Sequence, residues 1–110
     1  MGRHDMSQLS YASEKFAQAV YLLAIGEGDV RSRLRRAFFE IMPIQASLLP
    51  QSIQAEYESI IAELTKREAR YPDQGNFDET IRRMRNSTGA KIAKRIYNLS
   101  MKINLLLSDR

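Results

Sequence analysis

The chain has 110 residues, of which 44% are hydrophobic and 27% charged, and it contains no cysteine. This length favours one domain with one core, and the lack of cysteine excludes a disulfide framework and a thiolate metal site. The formal net charge of +4 is unevenly placed, because residues 77–110 carry eight Lys/Arg against three Asp/Glu.

The first six residues precede the first helical pattern. We expect residues 7–110 to form a single helical domain, and residues 1–6, which include the only histidine, to be a tail that is disordered or was introduced by cloning. No apolar run approaches the roughly 18 residues that a membrane-crossing helix requires. We therefore expect a cytoplasmic protein with no membrane association.

Two helices are predicted in the first third of the chain. Apolar spacing indicates a first helix from Ser7 or Ser10 to a stop at Gly26. The sequence Gly26-Glu27-Gly28-Asp29 then predicts a tight turn, with Asp29 as the N-cap of a second helix from Val30 to about Met42. The turn lacks the Lys-Ser/Thr of a phosphate-binding loop and contains two acids, so we interpret it as structural.

A third helix is predicted to start near Pro50 and to end near Arg67 or Arg70. The stretch 71–75 then breaks the helical pattern, and the last helix is predicted as one unbroken segment, Phe77–Leu107. Its apolar stripe consists of Ile81, Met84, Ile92, Ile96, Leu99, Ile103 and Leu106, with Thr88 filling the gap. The predicted fold is all-α and four-helix bundle-like, with three shorter helices packed on one long C-terminal helix.

The layout resembles that of short bacterial helical proteins of unassigned function. The resemblance covers most of the chain, and its motifs are turns and helix caps. They are Gly26, Gly28 and Asp29 before Arg33-Leu34, then Leu49-Pro50 ahead of a helix that ends in Leu64-Thr65. The resemblance implies no function.

Arg85 is the first candidate binding residue. On a continuous helix it falls near the centre of the apolar stripe, where an unpaired guanidinium would be costly. Three interpretations follow: a pair with a carboxylate of another helix, a position at the end of the bundle, or a pocket for an anion. In the last of these, Arg85 together with Arg82 would bind a carboxylate or a phosphate.

A basic strip on one flank of the last helix is the second candidate. It consists of Lys91, Lys94, Arg95, Asn98 and Lys102. Such a strip suits a phosphate backbone, but it has no interleaved aromatic residues and no recognisable nucleic-acid-binding motif. A solvated helix face is the competing interpretation.

Tyr97, Met101 and Leu105 recur every four residues on the side opposite the apolar stripe. A surface helix does not need two apolar faces, so this row predicts a partner or a second copy of the chain, and we favour a homodimer. In the competing interpretation, the first three helices cover this half of the last helix from both sides.

The residue inventory argues against catalysis. With no cysteine and one terminal histidine, Cys/His and Ser/His/Asp arrangements are excluded, and no Glu-x-x-His pair exists for a metal. We expect neither enzymatic activity nor a cofactor or metal site, and the sequence identifies no small-molecule substrate. The predicted function is a helical protein-interaction or regulatory module that self-associates through its C-terminal helix, with nucleic-acid binding by the basic strip as the alternative.

Overall fold

The computed structural model describes residues 6–108, and this part of the chain is all-α. Its elements are α1 (Met6–Ile25), α2 (Val30–Ile41), a 3₁₀ turn (Ala46–Leu48), α3 (Gln51–Leu64), α4 (Asn76–Arg83) and α5 (Asn86–Ser108). Of the predicted tail, Met6 already belongs to α1, and residues 1–5 lie outside the described part. The predicted bounds of the first two helices are confirmed to within about a residue at their C-terminal ends, the usual precision of such bounds.

The turn between α1 and α2 is built by the residues that the sequence singled out. Gly28 has a φ of 88°, a left-handed conformation that glycine adopts without strain. The side chain of Asp29 accepts a hydrogen bond from the backbone N–H of Ser32 at 3.0 Å, as an N-cap does. Gly26 is tightly enclosed, since a Cβ there would lie 2.5 Å from the carbonyl oxygen of Leu22. These roles are structural, as predicted.

The core lies between α5 and the three preceding long helices, each of which contacts it. The largest fully buried apolar side chains are Phe16, Leu34, Ile41, Leu49, Ile60, Leu64, Ile96, Leu99 and Ile103. α2 approaches α5 closely at Gly89, where a Cβ would lie 3.0 Å from Val30 Cγ1 and 3.3 Å from Leu34 Cδ1. The missing side chain of Gly89 therefore sets the distance between these two helices.

The prediction of one unbroken helix over Phe77–Leu107 is wrong. The chain forms two helices, α4 and α5, joined at Met84 and Arg85. Met84 has an extended backbone with a ψ of 141°, and its carbonyl accepts a hydrogen bond from Nη1 of Arg31 at 3.2 Å. At the start of α5, the backbone N–H of Gly89 donates a hydrogen bond to the carbonyl of Arg85 at 3.0 Å. Hydrogen bonds to the carbonyls of Met84 and Arg85 thus stabilise the break between the two helices. No proline is required to interrupt the helix at this point.

α4 is held against α2 by aromatic stacking and an ion pair. The rings of Phe77 and Phe38 stack with centroids 4.0 Å apart, and Phe39 contacts Phe77 edge-on at 5.7 Å. Arg35 of α2 also pairs with Asp78. These contacts hold Phe77 of α4 on α2, while Ile92 and Ile96 of α5 are buried in the core.

α3 ends at Leu64, earlier than predicted, and the following stretch turns back towards α4. The hydroxyl of Thr80 donates to the carbonyl of Asn76 at 2.8 Å and accepts the backbone N–H of Arg67 at 2.9 Å. This places Arg67 outside the helix and next to the junction of α4 and α5.

Candidate functional site

The exposed side of α5 carries a row of large apolar side chains, which we call the apolar row. Tyr97 is 50% exposed, Met101 46% and Leu105 65%, whereas Ile96, Leu99 and Ile103 on the opposite side of the helix are buried. The predicted second face is therefore present. The competing interpretation, in which α1 to α3 cover this half of the helix from both sides, is wrong for these three side chains.

A shallow groove adjoins the apolar row at the C-terminal end of α5. Its volume is about 690 Å³, and it is lined by Ser52, Ile53, Lys102, Leu105, Leu106 and Ser108. Leu105 belongs to both the row and the groove. The groove therefore lies between the end of α5 and the start of α3, beside the apolar row, and Ile53 at its α3 side is only 2% exposed.

Arg95, a predicted member of the basic strip, forms an ion pair with Glu56 of α3. Its Nε and Nη2 donate to the Glu56 carboxylate at 3.0 and 3.2 Å, and Nη2 also donates to Ser59 Oγ at 2.7 Å. The hydrogen bonds to Glu56 raise the pKa of Arg95. Its main role in the structure is to join α5 to α3.

The rest of the predicted strip is exposed. Lys91, Lys94, Asn98 and Lys102 lie on the solvent side of α5, and no described carboxylate forms an ion pair with any of these three lysines. At about 100° per residue, Lys94 and Asn98 project beside Tyr97 and Met101 rather than on a separate flank. The strip and the apolar row therefore form one mixed surface.

Arg82 and Arg85 do not form a joint site. Arg82 donates from Nε and Nη2 to Glu79, whose side chain is 1% exposed, at 3.2 and 2.8 Å. Gln74 donates to the same carboxylate at 3.0 Å, and Arg70 lies 3.4 Å from it. The hydrogen bond from Arg82 is the main cause that lowers the pKa of Glu79.

Arg85 is exposed at the junction between α4 and α5, where it lines a pocket of about 160 Å³ that we call the junction pocket. The pocket is lined by Lys66, Arg67, Thr80, Arg83, Met84, Arg85 and Thr88. Sequence reasoning missed Lys66, Arg67 and Arg83 because they come from segments whose meeting depends on the break in the last helix. The gap in the apolar stripe between Met84 and Ile92 is the feature of the sequence that could have indicated this break.

The described residues contain no group of three or more His, Cys, Asp or Glu side chains placed to hold a metal ion. Within the same part of the chain, no helix combines the length and apolarity that a membrane crossing requires. Comparisons with protein-family models, curated proteins and solved structures find no match for this chain. The function must therefore be argued from the geometry of the site.

Proposed function

We propose that this protein is a cytoplasmic, non-enzymatic protein-interaction module that self-associates through the exposed side of α5. The observation that carries the proposal is the apolar row, three large side chains that are each about half exposed or more. Covering such a row with a second apolar surface removes it from water, which is the main driving force for protein association. Contacts of α1, α2 and α3 with α5 hold the helix that carries the row.

The row is suited to a second copy of itself. Tyr97 and Leu105 are each four residues from Met101, so an antiparallel pairing of two α5 helices centred on Met101 places Tyr97 of each copy opposite Leu105 of the other. The row extends over about 12 Å of helix, which is small for a permanent interface. We therefore expect a dimer that dissociates on dilution.

The lysines beside the row give the dimer a characteristic response to salt. Two copies bring Lys94 and Lys102 of both chains to the same side of the contact, where like charges repel. Salt screens this repulsion and so favours the dimer. Dimerisation should therefore increase with sodium chloride concentration.

Sedimentation equilibrium over a range of protein concentrations tests the proposal. The wild-type chain should pass from its monomer mass of 12.7 kDa towards twice that value, and Met101→Glu should remain monomeric because it places a charge at the centre of the contact. Met42→Glu is the matched control, since Met42 is 50% exposed but lies at the end of α2. If the wild type stays monomeric at millimolar concentration, or if both variants lose the dimer equally, the proposal fails.

Nucleic-acid binding is the second candidate, and the three unpaired lysines favour it. α5 carries Lys91, Lys94 and Lys102 on its solvent side and has no acidic residue between Asn86 and Ser108. Binding of a random duplex or of RNA should weaken steeply with salt, opposite to dimerisation, and should be lost when the three lysines are changed to Gln. No binding at about 50 mM salt would exclude this function.

A further inference from the structure

We propose that the junction pocket binds a phosphate group. Four basic side chains line it, from the segment that follows α3 (Lys66 and Arg67), from α4 (Arg83) and from the link to α5 (Arg85). This inference is independent of self-association through the apolar row.

The cations of the junction pocket are only partly neutralised by the protein. Lys66 lies 3.4 Å from Glu63, and Arg83 lies 3.9 Å from Glu79, which is bound more closely by Arg82 and Arg70. Among the described residues, the guanidinium groups of Arg67 and Arg85 have no ion-pair partner. The pocket therefore carries an excess of positive charge, which a bound anion would offset.

The contrast with another arginine-lined surface supports this reading. A broader depression beside α2 is lined by Arg31, Arg35 and Arg82, together with Asp29. There each guanidinium already has a carboxylate: Arg31 pairs with Asp29, Arg35 with Asp78 and Arg82 with Glu79. Only the junction pocket, of these two, leaves guanidinium groups available for a ligand.

The size and the remaining lining also fit a tetrahedral oxyanion. A volume of about 160 Å³ leaves room for a small tetrahedral oxyanion such as phosphate. Thr88 is half-buried at the start of α5, and its hydroxyl is available to donate. Thr80 is not available, because its hydroxyl is used to fix the backbone of Arg67. Two arginines bind phosphate through paired N–H donors, which favours phosphate over a simple halide.

Titration of the ¹⁵N-labelled protein with inorganic phosphate, at ionic strength held constant with sodium chloride, tests the site. We expect saturable shifts of the backbone amide signals of Arg67, Arg85 and Thr88. The double variant Arg67→Gln/Arg85→Gln should weaken binding by about tenfold or more. The variant Arg67→Lys/Arg85→Lys, which keeps both charges, should bind with intermediate affinity because it lacks the paired donors.

The control variant removes two positive charges that lie outside the junction pocket. Arg36→Gln/Lys15→Gln removes two cations of α2 and α1 that do not line the pocket and should leave phosphate affinity within about twofold of the wild type. Phenyl phosphate serves as a second ligand. Equal or tighter binding of phenyl phosphate assigns the pocket to phosphate esters, and binding of inorganic phosphate alone assigns it to the free ion. Shifts that do not saturate, or equal weakening in the control, would overturn the proposal.

Discussion

Tyr57 shows how a single side chain ties two parts of the fold together. It is 3% exposed, and its hydroxyl lies 2.8 Å from the carbonyl oxygens of both Ile41 and Ile44, where α2 ends. Replacing Tyr57 with Phe removes this donor from the Ile44 carbonyl, whereas the Ile41 carbonyl still accepts the backbone N–H of Ile44 at 3.0 Å. We expect Tyr57→Phe to lower the free energy of unfolding by about 1–2 kcal/mol at neutral pH, measured by urea denaturation.

The same residue predicts a loss of stability in alkali. Burial raises the pKa of Tyr57 from 10.0 to about 12. Because the unfolded chain releases this proton first, the contribution of Tyr57 is complete below pH 10 and is lost as the pH rises towards 12. The free energy of unfolding should fall more steeply between pH 10 and 11.5 in the wild type than in Tyr57→Phe. If the free energy of unfolding falls equally with pH in both proteins, the burial of the Tyr57 hydroxyl is contradicted.

Residues whose partners are close in sequence were predictable, and those with distant partners were not. Gly28 and Asp29 act within a turn of a few residues, so composition and spacing identified their roles. Spacing alone predicts Arg95 as part of a binding strip, because it does not reveal the partner Glu56, which is 39 residues away on another helix. A helix wheel gives the direction of a side chain but not the residue that meets it.

At the scale of elements, apolar periodicity predicted where helices exist but not that the last one divides. The stripe from Ile81 to Leu106 is compatible with one helix or with two. The break is decided by the contacts of Phe77 and Met84 with α2, which the periodicity does not contain. The prediction of one helix therefore puts Arg85 on a helix face and gives no indication of the junction pocket.

The close approach of α2 and α5 at Gly89 gives a prediction at this scale. Gly89→Leu inserts a large side chain at a position where a Cβ alone would lie only 3.0 Å from Val30 Cγ1. We expect it to lower the free energy of unfolding by about 1–3 kcal/mol, since the helices must separate. Gly89→Ala should cost much less, because the higher helix propensity of alanine offsets the tighter contact.

Thermal or urea denaturation measures both Gly89 variants. Ala62→Leu, which adds the same side chain on the exposed side of α3, is the control and should change the free energy of unfolding by less than about 0.5 kcal/mol. A Gly89→Leu variant as stable as this control would show that Gly89 does not set the spacing of α2 and α5.

At the scale of the whole molecule, the burial pattern leaves α5 with two unlike sides. One side holds the core with Ile96, Leu99 and Ile103, and the other presents the apolar row and the unpaired lysines to solvent. The sequence predicted both sides from spacing alone. Dimerisation is expected to increase with salt concentration, whereas nucleic-acid binding is expected to weaken. The salt dependence therefore distinguishes the two functions of this surface without knowledge of its cellular partner.

Disulfide formation at position 101 tests the antiparallel dimer most directly. The chain has no cysteine, so Met101→Cys introduces a single thiol at the proposed centre of the contact, and Met42→Cys introduces one on another exposed surface. Under mild oxidation, Met101→Cys should form disulfide-linked dimers much faster than Met42→Cys, and faster still at high salt. Equal cross-linking rates for the two variants would contradict self-association through α5.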